Sequence, residues 1–172
     1  MKKINLFLVG QKIFSNSEEA FLLNKKSYFG ENVDGKIVYS LCEALFLIEE
    51  NKATVLSKKK KLSFNDLIKK FVRYDSRLMV KYVVFKDLRK KGYIVKTALK
   101  YGADFRVYEK GKKPGKEHAK WIVFCDSESK KINWVDFSAR NRIANSVKKK
   151  LLIAIVDEEG DITYYEVSWV KP

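Results

Sequence analysis

The chain contains a single histidine, His118, at the end of a loop rich in glycine and lysine. An imidazole can exchange a proton near physiological pH, and neighbouring cations disfavour its charged form. The loop supplies such cations at Lys110, Lys112, Lys113 and Lys116. These surroundings favour a proton-transfer role for His118 over the alternative, an ordinary surface or core histidine.

The charge of the chain indicates a polyanionic partner. Its 172 residues include 36 Lys and Arg against 21 Asp and Glu, which gives a formal net charge of +15. A surplus of this size is typical of proteins that bind nucleic acid or acidic membrane. Lysine-rich codon usage or a hot habitat is the alternative source of the charge, and the charge alone does not separate RNA, DNA and membrane.

The acidic residues do not predict a metal centre. No DxD or HxxxH spacing occurs in the half of the sequence that carries the basic loop, and Glu158, Glu159 and Asp161 are typical of a hairpin turn. A nuclease with this sequence is therefore expected to attack with the 2′-hydroxyl of the RNA itself. That route needs a base for the hydroxyl, an acid for the leaving 5′-oxygen and a fixed cation for the phosphate. One Tyr, one His and one Lys suffice, and we expect neither a metal nor another cofactor.

The sequence also indicates where the protein works. No apolar run approaches the roughly 20 residues needed to span a bilayer, and no cleavage-site pattern follows the apolar start. Cys42 and Cys125 are the only cysteines and form no CxxC pair, which argues against a disulfide framework or a zinc site. We expect a protein of the reducing cytoplasm with no membrane partner.

Residues 1–75 predict a small domain of short strands and three amphipathic helices. Strand-like runs occupy 4–9, 37–39 and 53–56, and the helices begin after Ser17, Ser40 and Ser63. Ser40 with Glu43 forms a capping-box pattern. The apolar stripes of the second and third helices are predicted to be core; they consist of Leu41, Leu45, Ile48, Leu67, Ile68, Phe71 and Val72. The lysine run 58–61 is predicted to be a solvated turn and not a phosphate clamp.

Residues 76–172 predict a second domain, so the fold class is α+β with a mixed sheet in the C-terminal domain. Leu78, Tyr82, Phe85 and Leu88 recur at helical spacing up to Gly92. Three β-rich runs follow, at 93–101, 104–110 and 119–125, and are expected to pair antiparallel. Asp136 or Ser138 is expected to cap a helix that runs through 147, and 151–157 is expected to pair with 162–170 across the turn EEGD.

Two sequence blocks resemble the catalytic domain of archaeal tRNA-splicing endonucleases. They are YGADFRVYEKGKKPGKEHAKWIV and, further on, ARNRIANSVKKKLLIAIVDEEGDITYY. The resemblance covers about residues 75–170, and the preceding helix and strand pattern is consistent with the N-terminal domain of that family. It implies metal-independent cleavage of RNA to a 2′,3′-cyclic phosphate and a 5′-hydroxyl.

The resemblance also implies the catalytic residues. Tyr108 matches the tyrosine that activates the 2′-hydroxyl, His118 the histidine that protonates the leaving oxygen, and Lys149 the lysine that stabilises the transition state. Tyrosine is a poor base unless nearby cations lower its pKa, which Lys149 and the loop lysines could do. The alternatives are a Tyr108 packed in the core and a shift of the lysine by one position, to Lys148 or Lys150.

The substrate implied by the resemblance is precursor tRNA with a bulge-helix-bulge fold at the intron junctions. Extruded bases suit protein recognition, because A-form helices expose little sequence. The family holds a bulged base between a cationic and a planar side chain from different subunits. Arg142 matches the cation, and Trp169 is the candidate for the planar partner; the alternative for Trp169 is an interface core residue.

Members of the family cleave two junctions and assemble with two working sites. We expect a homotetramer, with a heterotetramer containing a related non-catalytic subunit as the alternative. The resemblance implies an acidic loop that contacts another subunit, which here would be the segment CDSESKK with Asp126 and Glu128.

A non-catalytic RNA-binding subunit would lack one of the three catalytic residues, and a DNA nuclease or DNA-binding module would show an acidic metal cluster or a helix-turn-helix. The sequence shows neither pattern.

Overall fold

The computed structural model describes residues 2–58 and 60–170. The chain forms two units whose division falls between Tyr82 and Val83, inside a helix. The domain boundary predicted after residue 75 lies before that helix and remains a prediction. Lys59, within the lysine run 58–61, lies outside the described residues, and the turn predicted for this run is wrong at Lys60 and Lys61, which belong to a strand. Among the described helices, none has the length and apolar character needed to cross a bilayer.

A mixed sheet of six strands forms the first unit, in the order β3-β4-β2-β1-β5-β6. The strands are β1 (Ile4–Val9), β2 (Lys12–Ser15), β3 (Glu31–Val33), β4 (Lys36–Tyr39), β5 (Ala53–Ser57) and β6 (Lys60–Leu62). β1 pairs parallel with β5 and antiparallel with β2. Buried and exposed residues alternate along β1, because successive side chains of a strand point to opposite faces. The three strands predicted in this region are confirmed.

Three helices belong to the same unit: α1 (Glu18–Ser27), α2 (Leu41–Glu49) and α3 (Phe64–Phe71). Ser17, Ser40 and Ser63 cap them as predicted, since each side chain accepts a hydrogen bond from the backbone N–H three residues later. Ser63 also forms a capping box with Asp66, which the sequence analysis did not identify. Short side-chain bonds to free backbone groups therefore set where these helices begin.

The core predicted for α3 is wrong at its last residue. Leu67 and Phe71 are buried, but Val72 is 42% exposed. Val72 is the C-cap of α3 and keeps helical backbone angles, so its exposure means that the buried stripe of the helix ends at Phe71.

The second unit contains a mixed sheet in the order β11-β10-β9-β8-β7. Helix α4 (Leu78–Lys90) leads into it, followed by β7 (Ile94–Ala98), a 3₁₀ turn (Leu99–Tyr101), β8 (Ala103–Tyr108), β9 (Trp121–Ser127), α5 (Trp134–Ser146), β10 (Lys150–Val156) and β11 (Ile162–Val167). The antiparallel β7, β8 and β9 and the β10–β11 hairpin confirm the prediction. β9 and β10 pair parallel, so α5 returns the chain from the end of one to the start of the other.

Helix α5 begins earlier than the sequence predicted. Asn133 is its N-cap and accepts a hydrogen bond from the backbone N–H of Asp136 at 2.8 Å. The prediction of Asp136 or Ser138 as the cap is therefore wrong; asparagine is an equally good N-cap, and it precedes Trp134 and Val135, which are exposed. The other side of the helix, at Ala144, packs on Ile122 and Leu151 of the sheet.

Asp126 joins β9 to α5 through a buried ion pair. Its carboxylate accepts hydrogen bonds from Arg140 and from Lys130, and its side chain is 5% exposed. Burial alone would raise the carboxyl pKa of Asp126, but the hydrogen bonds from the two cations, and their charges, hold that pKa below its usual value. The prediction that Asp126 lies on a loop is wrong, because the segment CDS belongs to β9 and the turn begins only at Glu128.

We predict that Asp126→Asn lowers the free energy of unfolding by about 3 kcal/mol at pH 7, because it removes the buried counter-charge of Arg140, whose side chain is only 11% exposed. The carboxylate of Asp126 stabilises the fold above its unfolded pKa of about 3.9, because its pKa is lower in the folded state. This stabilisation is lost as the pH falls through the folded pKa. Urea unfolding at pH 7 and pH 3 should therefore show a smaller difference between variant and wild type at pH 3. Lys150→Gln, which breaks an exposed ion pair with Glu166, is the control and should cost under about 1 kcal/mol.

Candidate active site

Tyr108, His118 and Lys149 lie near one edge of the second sheet. Tyr108 ends β8, while His118 and Lys149 shortly precede β9 and β10. The backbone N–H of Lys150 donates to the carbonyl of Lys120 at 2.9 Å, and the N–H of Lys120 donates to the carbonyl of Val107 at 2.9 Å. The strand pairing thus brings the three segments side by side. We call this edge, where β8 and β11 end and β9 and β10 begin, the Lys149 edge.

The phenol of Tyr108 is largely buried in the strand. Its residue is 5% exposed, and its hydroxyl bonds to none of the described residues. Tyr108 is paired with Ile94 of β7. By strand alternation it shares a face with Arg106. The packing fixes the ring while leaving the hydroxyl uncommitted to another side chain.

His118 is exposed at the end of a loop that is bound internally. Glu117, the residue before it, accepts hydrogen bonds from the Lys112 ammonium and the Lys113 backbone N–H, both at 2.7 Å. The bond from Lys112 lowers the carboxyl pKa of Glu117. The charge of Lys112 is therefore offset by Glu117.

The end of α5 sets Lys149 apart from its neighbours. The N–H of Lys149 donates to the carbonyl of Ala144 and the N–H of Lys148 to that of Asn145, with Lys148 in the left-handed conformation at φ 55°. This is the Schellman pattern that ends many helices. Lys148 points into solvent and Lys150 pairs with Glu166, whereas Lys149 is half-buried and its ammonium donates to the Val147 carbonyl at 3.1 Å.

Lys149 and Trp169 line one cavity of about 180 Å³ at the Lys149 edge. Trp169 follows the end of β11 and is 63% exposed. Asn141 and Asn145, one helical turn apart on α5, line the same cavity. Sequence reasoning missed these two asparagines, and their spacing just before the lysine run was the available signal. Arg142 is exposed on α5 and does not line the cavity.

Two family models together cover most of the chain. The N-terminal domain of tRNA intron endonuclease matches residues 4–68, and its catalytic C-terminal domain matches residues 78–164. The chain belongs to the tRNA intron endonuclease family. The resemblance stated from the sequence is thereby confirmed, and the Lys149 edge lies within the unit that matches the catalytic domain of the family.

Related proteins extend the match to nearly the whole chain. The tRNA-splicing endonuclease of Thermococcus onnurineus (strain NA1) is 43% identical over 169 residues, which is 98% of this chain and 97% of the relative. That of Methanothermobacter thermautotrophicus is 42% identical over 150 residues, 87% of each chain. That of Nanoarchaeum equitans is 42% identical over 138 residues, 77% of this chain and 88% of the relative. Both units therefore have counterparts in the family.

Tyr101 is another tyrosine of the second unit that lies close to cationic side chains. A hydrogen bond with Lys100 lowers the pKa of its hydroxyl, and the charges of Lys100, Lys149 and Arg106 lower it further. The Lys100 ammonium lies 4.9 Å from the ring centroid. The charge of Lys149 thus acts on Tyr101.

The structure places the two acids suggested for subunit contact at the other end of β9. Asp126 is buried in its ion pair, which leaves Glu128 as the acid of this segment that is open to solvent. The Glu128 carboxylate accepts a hydrogen bond from the backbone N–H of Glu158 at 3.1 Å. Within the described residues, no group of three or more His, Cys, Asp and Glu side chains could hold a metal ion.

We predict that Trp169→Ala changes the free energy of unfolding by less than about 0.5 kcal/mol, because the side chain is mostly exposed. Trp121→Ala is the comparison: this indole packs on Tyr93 at 5.8 Å and donates to Glu166. It should cost about 2 kcal/mol, because this side chain is half-buried. The measurement is chemical unfolding of both variants. A decrease in Trp169→Ala as large as that in Trp121→Ala would show that Trp169 packs in a subunit interface.

Proposed function

We propose that this protein is a tRNA-splicing endonuclease that cleaves precursor tRNA at bulge-helix-bulge junctions without a metal ion. The observation that carries the proposal is the position of Tyr108, His118 and Lys149 on adjacent strand ends in the unit that matches the catalytic domain of the family. The names of the relatives support the same activity. The positive charge of the chain suits an RNA substrate.

The proposed reaction transfers the phosphoryl group from one ribose oxygen to another. Tyr108, as its phenolate, takes the proton of the 2′-hydroxyl, and the resulting oxygen attacks the adjacent phosphorus. The bond to the 5′-oxygen breaks, and His118, as imidazolium, gives that oxygen its proton. The products are a 2′,3′-cyclic phosphate and a 5′-hydroxyl. The reaction leaves Tyr108 protonated and His118 neutral. Before the next turnover, Tyr108 loses a proton to solvent and His118 gains one from solvent.

Lys149 is suited to stabilise the charge that builds on the phosphate. Its ammonium donates one hydrogen bond to the Val147 carbonyl, and its other two hydrogens can bond to phosphate oxygens. The backbone bond of Lys149 to Ala144 fixes the base of the side chain. A cation held in advance of the reaction lowers the barrier more than one that must be ordered during it.

Substrate positioning is assigned to Trp169 and Arg142. An exposed indole beside the Lys149 cavity can stack on an extruded base, and an exposed guanidinium can cover the other face of such a base. We assign the two halves of this clamp to different subunits of a homotetramer, with Glu128 at a subunit contact. A heterotetramer with a related non-catalytic subunit is the alternative assembly.

Cleavage is predicted to continue in excess EDTA, because the proposed reaction uses side chains as acid, base and cation. The measurement is cleavage of a prefolded precursor tRNA, with product ends identified by their sensitivity to phosphatase and kinase. Monovalent salt maintains the fold of the RNA in both arms. Activity that disappears with EDTA and returns with magnesium would contradict the proposed chemistry.

His118→Ala is predicted to slow single-turnover cleavage by about 100-fold or more while RNA binding changes little, because proton donation acts in the transition state. Tyr108→Phe and Lys149→Ala should behave likewise. Lys148→Ala is the matched control, since it removes a neighbouring positive charge that points into solvent. Wild-type rates in any of the first three variants would remove that residue from the site. An inactive wild-type chain would instead favour the heterotetramer.

A further inference from the structure

One face of the first sheet is open to solvent. Ile4, Leu6 and Leu8 of β1 are buried on one face, whereas Phe7 and Val9 are exposed on the other. The same division holds in the neighbouring strands β2 and β4, where Ile13 and Ile37 are buried. The core of the unit therefore lies against one face, and the opposite face, called here the open face, is left without a covering layer of its own unit.

The open face carries a row of apolar side chains across four strands. The strand register pairs Val38 with Phe14, Phe14 with Phe7, and Phe7 with Leu56. The rings of Phe7 and Phe14 lie 6.1 Å apart and are tilted by 40°. Phe7 is 37% exposed. Two aromatic rings thus stand together near the middle of an accessible sheet.

Lysines share this face with the aromatic rings. The register places Lys12 beside Val9, Lys36 beside Val33, and Lys61 beside Leu56. All three lysines are exposed, and the Lys36 ammonium lies 5.0 Å from the centroid of Phe14. Glu31 is an acid on the same face, opposite Val38. The face therefore combines flat apolar surface with a surplus of positive charge.

We infer that the open face binds unpaired nucleotides of RNA, with bases stacked on Phe7 and Phe14 and phosphates near Lys12, Lys36 and Lys61. RNA-binding sheets commonly stack bases on aromatic residues of adjacent strands and hold the backbone with cations. A protein interface is the less favoured occupant, because lysine is depleted at the centre of such interfaces. This RNA-binding surface lies in the first unit and goes beyond the cleavage reaction.

The test measures binding of fluorescein-labelled octauridine to the full chain by anisotropy. This RNA has no bulge-helix-bulge fold, so the result does not depend on the proposed cleavage function. Phe7→Leu with Phe14→Leu removes the rings but keeps apolar side chains in the sheet. We expect the double variant to bind about tenfold more weakly. Tyr74→Leu, which removes an aromatic side chain that is 60% exposed outside the sheet, is the control and should bind as wild type.

A second pair of variants tests the binding of phosphates without altering the core. Lys36→Gln with Lys61→Gln should reduce the slope of log affinity against log salt by about 0.7 for each phosphate that a lysine no longer neutralises. Lys25→Gln with Lys26→Gln removes the same charge from exposed positions of α1 and should leave the slope closer to wild type. Equal slopes in the two double variants would overturn the assignment of phosphates to this face.

The stacking variant also decides between RNA and protein as the occupant. If it melts as wild type and binds octauridine with wild-type affinity, the inference is wrong. If light scattering gives the variant a lower mass than the wild type while its RNA affinity is unchanged, the open face is a subunit contact. That result would also overturn the inference of RNA binding. If it unfolds, the lysine variants, which change only exposed side chains, decide the question through the salt slope. Cleavage of precursor tRNA by the wild type is measured separately and tests the proposed function alone.

Discussion

Parallel pairing of β9 with β10 requires the chain to travel from one edge of the second sheet back to the other, and α5 makes that return. Both strands consequently begin at the same edge, with His118 before one and Lys149 before the other. The antiparallel neighbour β8 ends there, which adds Tyr108. The ion pair between Asp126 and Arg140 joins β9 to the helix that makes the return. The β8–β9 pairing already brings Tyr108 and His118 to this edge, and the crossover adds Lys149 to them.

Much of the architecture could be predicted because its causes are local. The alternation in β1, the serine caps of α1 to α3 and the turn between β10 and β11 each depend on a few adjacent residues. The blocks around Tyr108, His118 and Lys149 were recognised by resemblance and not by chemistry. Composition and spacing alone led to His118, to a polyanionic partner and to the expectation of a reaction without a metal.

The features that sequence reasoning missed arise from interactions between distant segments. Asp126 resembles a loop acid in the sequence, and only its pairing with Arg140, on another element, shows it to be buried. The start of α5 at Asn133 was missed because three polar residues in a short segment are all acceptable caps. Likewise, Asn141 and Trp169 are far apart in sequence and line one cavity only because β11 ends where α5 ends.

Lys148 occupies a backbone conformation that glycine adopts without strain, and its φ of 55° costs a residue with a side chain about 1 kcal/mol. The choice of residue at this position is therefore constrained by the main-chain conformation and not by the ammonium group. Glycine or asparagine should therefore be acceptable there, while valine or isoleucine would oppose the reversal that follows α5. A substitution at position 148 that disfavours the left-handed conformation would therefore alter the direction in which Lys149 leaves the helix. It would do so without changing any of the candidate catalytic side chains.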